Sequence, residues 1–220
     1  MDAPAEATAS PLRQLVKGAL TRALPPRLFR VREAAAERAV YLTFDDGPHP
    51  EHTPRLLDAM AAVGARGTFF VRGDHAAAHP DIVRRIAAEG HALGHHSFSH
   101  GEPGATSAGA LAEEVRRTRD LLQVLVGHAP SLFRPPHGKV TAGKLARLWA
   151  AGQSVILWNV DPKDFAMASS SELGAWIEGH SFDAGDIVLL HDTHPHAAGV
   201  MGLVAEMARR RGLALLPIRE

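Results

Sequence analysis

The sequence predicts an α/β fold, a closed or nearly closed barrel of about seven parallel strands covered by helices. Three observations predict it. Short apolar runs alternate with amphipathic helical patterns from residue 39 to the end of the chain. The 220 residues suffice for one sizeable core, and no composition shift marks a boundary after residue 38. The residues able to do chemistry fall at the carboxyl ends of the apolar runs, which share one face in a parallel barrel. An open doubly wound sheet fits the periodicity alone equally well.

The strand-like runs are Ala39–Phe44, Gly67–Val71, Ala92–His95, Leu132–Phe133, Ser154–Val160, Asp186–Leu190 and Leu213–Pro217. Between them lie helices with recognisable ends. Thr53 reads as an N-cap with Pro54 at the first position, Leu56, Leu57, Met60 and Val63 form one stripe, and Gly64 stops the helix. A second helix spans Pro80 to Glu89, and a third spans Ser107 to Val126 with Leu111, Val115, Leu122 and Leu125 on one face. Thr141 and Ser171 open two more. The last runs from Gly199 to Arg211, where Arg209, Arg210 and Arg211 suit the negative end of its dipole.

Composition narrows the function. Lysine plus arginine equal aspartate plus glutamate at 24 each, so no general affinity for nucleic acid is expected. The chain has no cysteine, which leaves His, Asp and Glu as metal donors, and its 14 histidines are many for this length. No apolar stretch is long enough for a membrane span, and the first residues lack the pattern of a secretory signal. A cytoplasmic location is expected. Residues 1–37 read as a tail with a basic amphipathic helix: over 11–32, Leu12, Leu15, Val16, Ala19, Leu20, Ala23 and Leu24 form a stripe, Arg13, Lys17, Arg22, Arg27, Arg30 and Arg32 supply charge, and no acid occurs. Such a helix either packs on the barrel or rests on anionic headgroups as a peripheral membrane contact.

Five polar clusters follow the strands: Asp45 and Asp46 in "TFDDGP", "HHSFSH" at 95–100, "FRPPHG" at 133–138, "NVDPKDF" at 159–165 and "LLHD" at 189–192. Each has an ordinary reading. DDG can be a solvated turn, Arg134 can decorate a stiff loop, Asp161 and Asp164 can cap a segment, and His191 can be a core histidine. His96 and His100 lie four apart, a spacing that aligns two rings on one helical turn. With Asp46 they form a two-His, one-carboxylate set that leaves coordination positions open. His95, His194 and His196 receive no role.

In this order and on these strands, TFDDGP, HSxxH, RPPxG, DxxD and LxH resemble the polysaccharide deacetylases, the NodB-homology group of carbohydrate esterase family 4. The likeness covers residues 39–217, within a catalytic domain at 38–220. It implies a distorted (β/α) barrel of about seven parallel strands and a metal-dependent hydrolase that removes N-acetyl groups from an amino sugar unit of a polysaccharide, oligosaccharide or glycolipid precursor, with a water activated by the metal. Carried onto this sequence, the resemblance implies that Asp46, His96 and His100 hold one divalent ion, zinc first and cobalt, manganese or nickel after it. Asp45 is the expected base, oriented by Arg134, and His191 the expected acid, held by Asp164. The backbone N–H of His137 is expected to bind the oxyanion, and Leu189 to line the acetyl-methyl pocket. His95 stands where Asn is usual, His137 where Tyr is frequent, and Phe165 where Trp is frequent. A deformylase or other linear-amide hydrolase of this fold is the alternative. A non-catalytic carbohydrate-binding barrel would lack one of these groups, and none is missing.

Overall fold

The computed structural model describes residue 25 and residues 27–220. In chain order the strands are β1 (Phe29–Arg30), β2 (Ala39–Asp45), β3 (Thr68–Val71), β4 (Ala92–His95), β5 (Leu132–Phe133), β6 (Ser154–Ile156), β7 (Ile187–His191) and β8 (Ala214–Leu215). The helices are α1 (His52–Ala62), α2 (Gly73–Ala78), α3 (Pro80–Ala88), α4 (Ala108–Val126), α5 (Ala142–Ala150), α6 (Ser170–Glu178) and α7 (His196–Arg210). The sheet runs β1-β6-β5-β4-β3-β2-β7, with β8 also on β2, and every pairing is parallel. A bridge from Val160 to Val188 carries the chain after β6 across to β7, so the curl nearly closes. The expected barrel is therefore the observed one, and the open sheet is not.

Strand alternation decides what enters the barrel. Along β2, Leu42 and Phe44 face outward into the largest core cluster, under α1, α3, α6 and α7. Ala39 and Tyr41 face inward, where they meet Phe70, Leu132, Ile156, Ile187 and Ile218. Thr43 and Asp45 continue this inward row, so the barrel axis passes from apolar to polar toward the carboxyl ends of the strands. A third cluster, with Phe29, Leu111, Val115, Phe133, Leu145 and Val155, packs under α4 and α5.

Local chemistry explains several helix ends. The side chains of Ser107 and Thr141 cap α4 and α5, accepting from the N–H groups of Ala110 and Lys144. Elsewhere the structure corrects the sequence reading. Thr53 lies inside α1, and its hydroxyl does not cap the helix: it accepts from the N–H of His49 at 2.8 Å and donates to Asp192 Oδ2 at 2.6 Å. Ser169, and not Ser171, caps α6. Helix α7 begins at His196, ahead of Gly199. Helix α2 was not expected. Most of the helix expected over 11–32 lies outside the described residues. Its last part is turn and strand instead, because β1 pairs with β6 through Phe29↔Val155 and Arg30↔Ile156. Among the described residues, no helix is long and apolar enough to cross a membrane.

Candidate active site

Asp45 ends β2 in register with His191 of β7 on one side and Phe70 of β3 on the other. It is buried, and its charge is matched from inside the barrel by Arg134, the residue after β5, whose side chain is fully buried. Arg134 Nη1 donates to Asp45 Oδ1 and to Thr43 Oγ1, each at 2.7 Å, while Nε and Nη2 donate to the carbonyls of Ile156 and Leu157, each at 3.2 Å. Thr43 in turn donates to the carbonyl of Val188 at 2.7 Å. The guanidinium also lies over the Phe70 ring, 4.2 Å from its centroid. One carboxylate oxygen of Asp45 is thus fixed, and the other, Oδ2, lies 3.7 Å from His96 Nε2. Burial pushes its carboxyl above the ordinary range, with Arg134 and His191 pulling against that rise.

A strand continued by one residue would send Asp46 to the opposite face from Asp45. The strand stops, and Asp46 adopts a left-handed backbone, φ 74°, a conformation Asp tolerates better than most residues. Two bonds hold the turn: a His75 Nδ1 contact to the Asp46 carbonyl at 2.8 Å, and the N–H of Arg72 to the Gly47 carbonyl at 2.9 Å. His75 and Arg72 sit at the start of the unexpected helix α2, so nothing in the sequence pattern pointed to them.

The Asp46 carboxylate meets His96 and His100. His96 follows β4, and its Nδ1 donates to the Arg134 carbonyl at 2.7 Å, which leaves the Nε2 lone pair free. That Nε2 lies 3.8 Å from Asp46 Oδ1, and His100 Nε2 lies 3.5 Å from the same oxygen. The two histidines do not share a helical turn. They converge through a loop in which Ser97 and His100 both take left-handed backbones, φ 64° and 57°. Among the described residues these three form the one group of ligand atoms lying within 4.8 Å of one another. Asp46 Oδ1 is buried and has no hydrogen-bond partner. A buried carboxylate oxygen facing the Nε2 atoms of two imidazoles, at separations too long for good hydrogen bonds, fits a shared divalent cation bound at about 2 Å.

On the other side of Asp46, His191 Nε2 lies 4.0 Å from Asp46 Oδ2. Asp164, fully buried, grips His191 twice: Oδ1 takes Nδ1–H at 2.8 Å and Oδ2 takes the backbone N–H at 2.8 Å. Burial opposes a charge on the ring, but the Asp164 hydrogen bond and the charges of Asp164, Asp45 and Asp46 outweigh it, and the pKa rises to about 9. Leu189 shares the inward face of His191, two residues away on β7, while Val188 and Leu190 pack in the outer core. His137 takes a left-handed backbone, φ 56°, with its ring 4.7 Å from that of His100 and its Nε2 3.6 Å from Glu102. Phe165 is exposed and sets its ring edge-on to His191 at 5.4 Å.

All nine expected site residues thus fall at one end of the barrel. His95 does not. It faces outward, fully buried, bonded to Gln153 at 2.7 Å and packed on Phe133. His194 and His196 stack on each other at 6.0 Å.

A parallel barrel whose mouth carries one cation-ready cluster, one arginine-held carboxylate and one aspartate-held histidine defines a hydrolase-like class of site. The comparisons with known proteins agree. The family model described as polysaccharide deacetylase matches residues 32–156, and the chain belongs to that family. It is 36% identical to a peptidoglycan-N-acetylglucosamine deacetylase of Bacillus cereus over 70% of this chain, a stretch spanning 56% of that relative's length. It is 36% identical to a chitooligosaccharide deacetylase of Rhizobium leguminosarum bv. trifolii over 72% of this chain and 74% of the relative. The crystal structure of a peptidoglycan N-acetylglucosamine deacetylase superposes with a TM-score of 0.82 at 28% identity, covering 87% of this chain and 91% of the other.

Proposed function

We propose that this protein is a metal-dependent N-deacetylase acting on an N-acetylated amino sugar unit of a polysaccharide, oligosaccharide or glycolipid precursor. The observation that carries the reading is the unpartnered, buried Asp46 Oδ1 between His96 and His100, set beside Asp45 and His191. The printed names of the relatives, which concern peptidoglycan N-acetylglucosamine and chitooligosaccharide, support N-acetylglucosamine as the unit to test first.

Asp46, His96 and His100 would hold the ion, and two imidazoles with one carboxylate suit zinc. When bound, the ion supplies Lewis acidity toward the amide carbonyl and makes water more acidic. The remaining work belongs to the chain's own groups. Asp45 Oδ2, its partner oxygen held by Arg134, takes the proton of the attacking water, and its raised pKa suits a base. The backbone N–H of His137 stabilises the oxyanion. Leu189 lines the space for the acetyl methyl. His191 Nε2–H gives a proton to the leaving nitrogen, while Asp164 holds Nδ1–H and balances the imidazolium. Acetate and a free amine result.

The test is acetate release from a panel of N-acetylated sugars and oligosaccharides by chelator-stripped protein, with and without added Zn²⁺ or Co²⁺, beside Asp45→Asn. Metal-dependent release that Asp45→Asn abolishes is the expected result. Release without metal, or undiminished release by Asp45→Asn, would overturn the mechanism. Formate but no acetate from N-formyl sugars would move the substrate to the deformylase alternative.

A further inference from the structure

The loop that carries His96 and His100 holds two non-glycine residues, Ser97 and His100, in left-handed backbones. Such conformations are sparsely populated, so the surroundings must impose them. Two elements do so. The start of α2 donates to the loop's carbonyls: Gly73 N–H to Ser97 O at 3.1 Å and Asp74 N–H to Phe98 O at 3.0 Å. The loop's own donors converge on one side chain of α4. Glu114 Oε2 accepts from the N–H groups of Phe98 at 3.2 Å and Ser99 at 3.3 Å, and Oε1 accepts from the Ser99 hydroxyl at 2.7 Å. Ser97 Oγ accepts from the N–H of His100 at 3.1 Å. Glu114 therefore holds the backbone at 98 and 99, between the two histidines, and Ser97 closes the same turn onto the backbone of His100. The Arg117 guanidinium, one turn along α4, lies 3.5 Å over the Phe98 ring and presses the loop from the same side.

We propose that Glu114 is a positioning residue for the Asp46–His96–His100 cluster: by fixing the 97–100 loop it sets the affinity of that cluster for a divalent ion. The proposal rests on the metal reading above. The helix alone does not require an acid here. Glu113 beside it is exposed and engaged only with Arg116. Glu114 touches no ligand atom. Its effect passes through the backbone that aims His100, as outer-shell contacts at metal sites do.

The experiment measures Zn²⁺ affinity by competition with a chromophoric chelator, using the full chain, for wild type, Glu114→Leu, Glu114→Gln and the control Glu113→Gln. Thermal melts of the metal-stripped proteins read folding separately. Glu114→Leu is expected to weaken Zn²⁺ binding about 10–100-fold. Glu114→Gln should retain most of the affinity, because its carbonyl oxygen can still accept the two amides. Glu113→Gln should bind as wild type does. Equal affinity in wild type and Glu114→Leu would overturn the positioning role and leave the metal reading standing. Failure of wild type itself to bind Zn²⁺ would overturn both. If Glu114→Leu does not fold, Ser99→Ala takes its place. It removes one of the clamp's bonds from an exposed position, with a loss of several-fold expected and an unchanged affinity counting against the proposal.

Discussion

Two adjacent aspartates at a strand end stay together because each is given a different neighbour. Asp45 continues the inward row of β2 and meets Arg134, whereas the left-handed turn at Asp46 swings its carboxylate to the two histidines. Arg134 is fully buried and Asp45 nearly so, so loss of the guanidinium leaves the Asp45 charge poorly hydrated. Arg134→Met should therefore destabilise the metal-free protein by about 3–5 kcal/mol. Adding Asp45→Asn to Arg134→Met should recover part of that loss, because it removes the stranded charge. Urea denaturation of the two single variants and the double variant measures this. Additive losses would mean that the pair is not coupled. The gathering of these residues at the barrel mouth was legible because Asp, His and Arg stand where the apolar runs end. The left-handed backbones of Asp46, Ser97 and His100 were not, since contacts from α2 and α4 impose them and no local sequence signal marks them.

At the scale of elements, ends with their own chemistry were the readable ones. Ser107 and Thr141 cap helices as serine and threonine ahead of an apolar stripe should. Thr53 carries the same signal but spends its hydroxyl on Asp192, a partner 139 residues away that no window of sequence contains. Helix α2 has six residues with only Gly73 and Ala76 buried, too short and too weakly apolar to show periodicity. The junction of α3, β3 and β4 carries a pH signature. His91 is buried, and its Nδ1 accepts from the N–H of Gly67 at 3.1 Å, which requires the neutral ring. Burial first, then the charges of Arg66 and Arg85, hold its pKa below the ordinary value, with Glu89 opposing. The unfolded chain therefore takes up a proton near pH 6.5 that the folded chain refuses. The histidine's contribution is complete above that pH and falls away as the solution is acidified. His91→Asn places an amide oxygen where Nδ1 accepts, without titration. The stability advantage of wild type over this variant should shrink as pH is lowered from about 7.5 to about 5. Parallel pH curves for the two proteins would contradict it.

The whole molecule depends on a strand that the sequence pattern hid. β1 is two residues long and reads locally as the end of a basic amphipathic segment, because its partner β6 lies more than a hundred residues further along the chain. Yet it covers the outer edge of β6, places Phe29 in the core beneath α4 and α5, and ties the segment at Arg30 to the one at Arg219. Arg30 Nη1 donates to Glu33 and to the carbonyl of Arg219, each at 2.8 Å, and the N–H of Ile218 donates to Thr68 at 2.8 Å. Along the sheet β1 stands three strands from β4, which leads into His96, and five from β2, which leads into Asp46, so edge pairing and ion binding should separate experimentally. Phe29 is 2% exposed, and Phe29→Ala should cost about 3–5 kcal/mol in unfolding free energy. The same variant, held well below its melting temperature, should bind Zn²⁺ within about twofold of wild type, since the hydrogen bonds by which Glu114 holds the 97–100 loop do not involve Phe29, although both meet α4. A loss of stability below about 1 kcal/mol would mean that β1 is an ornament on a barrel complete without it. A matched loss of stability and of Zn²⁺ affinity would mean instead that the barrel mouth is held in shape by the closure of its far edge.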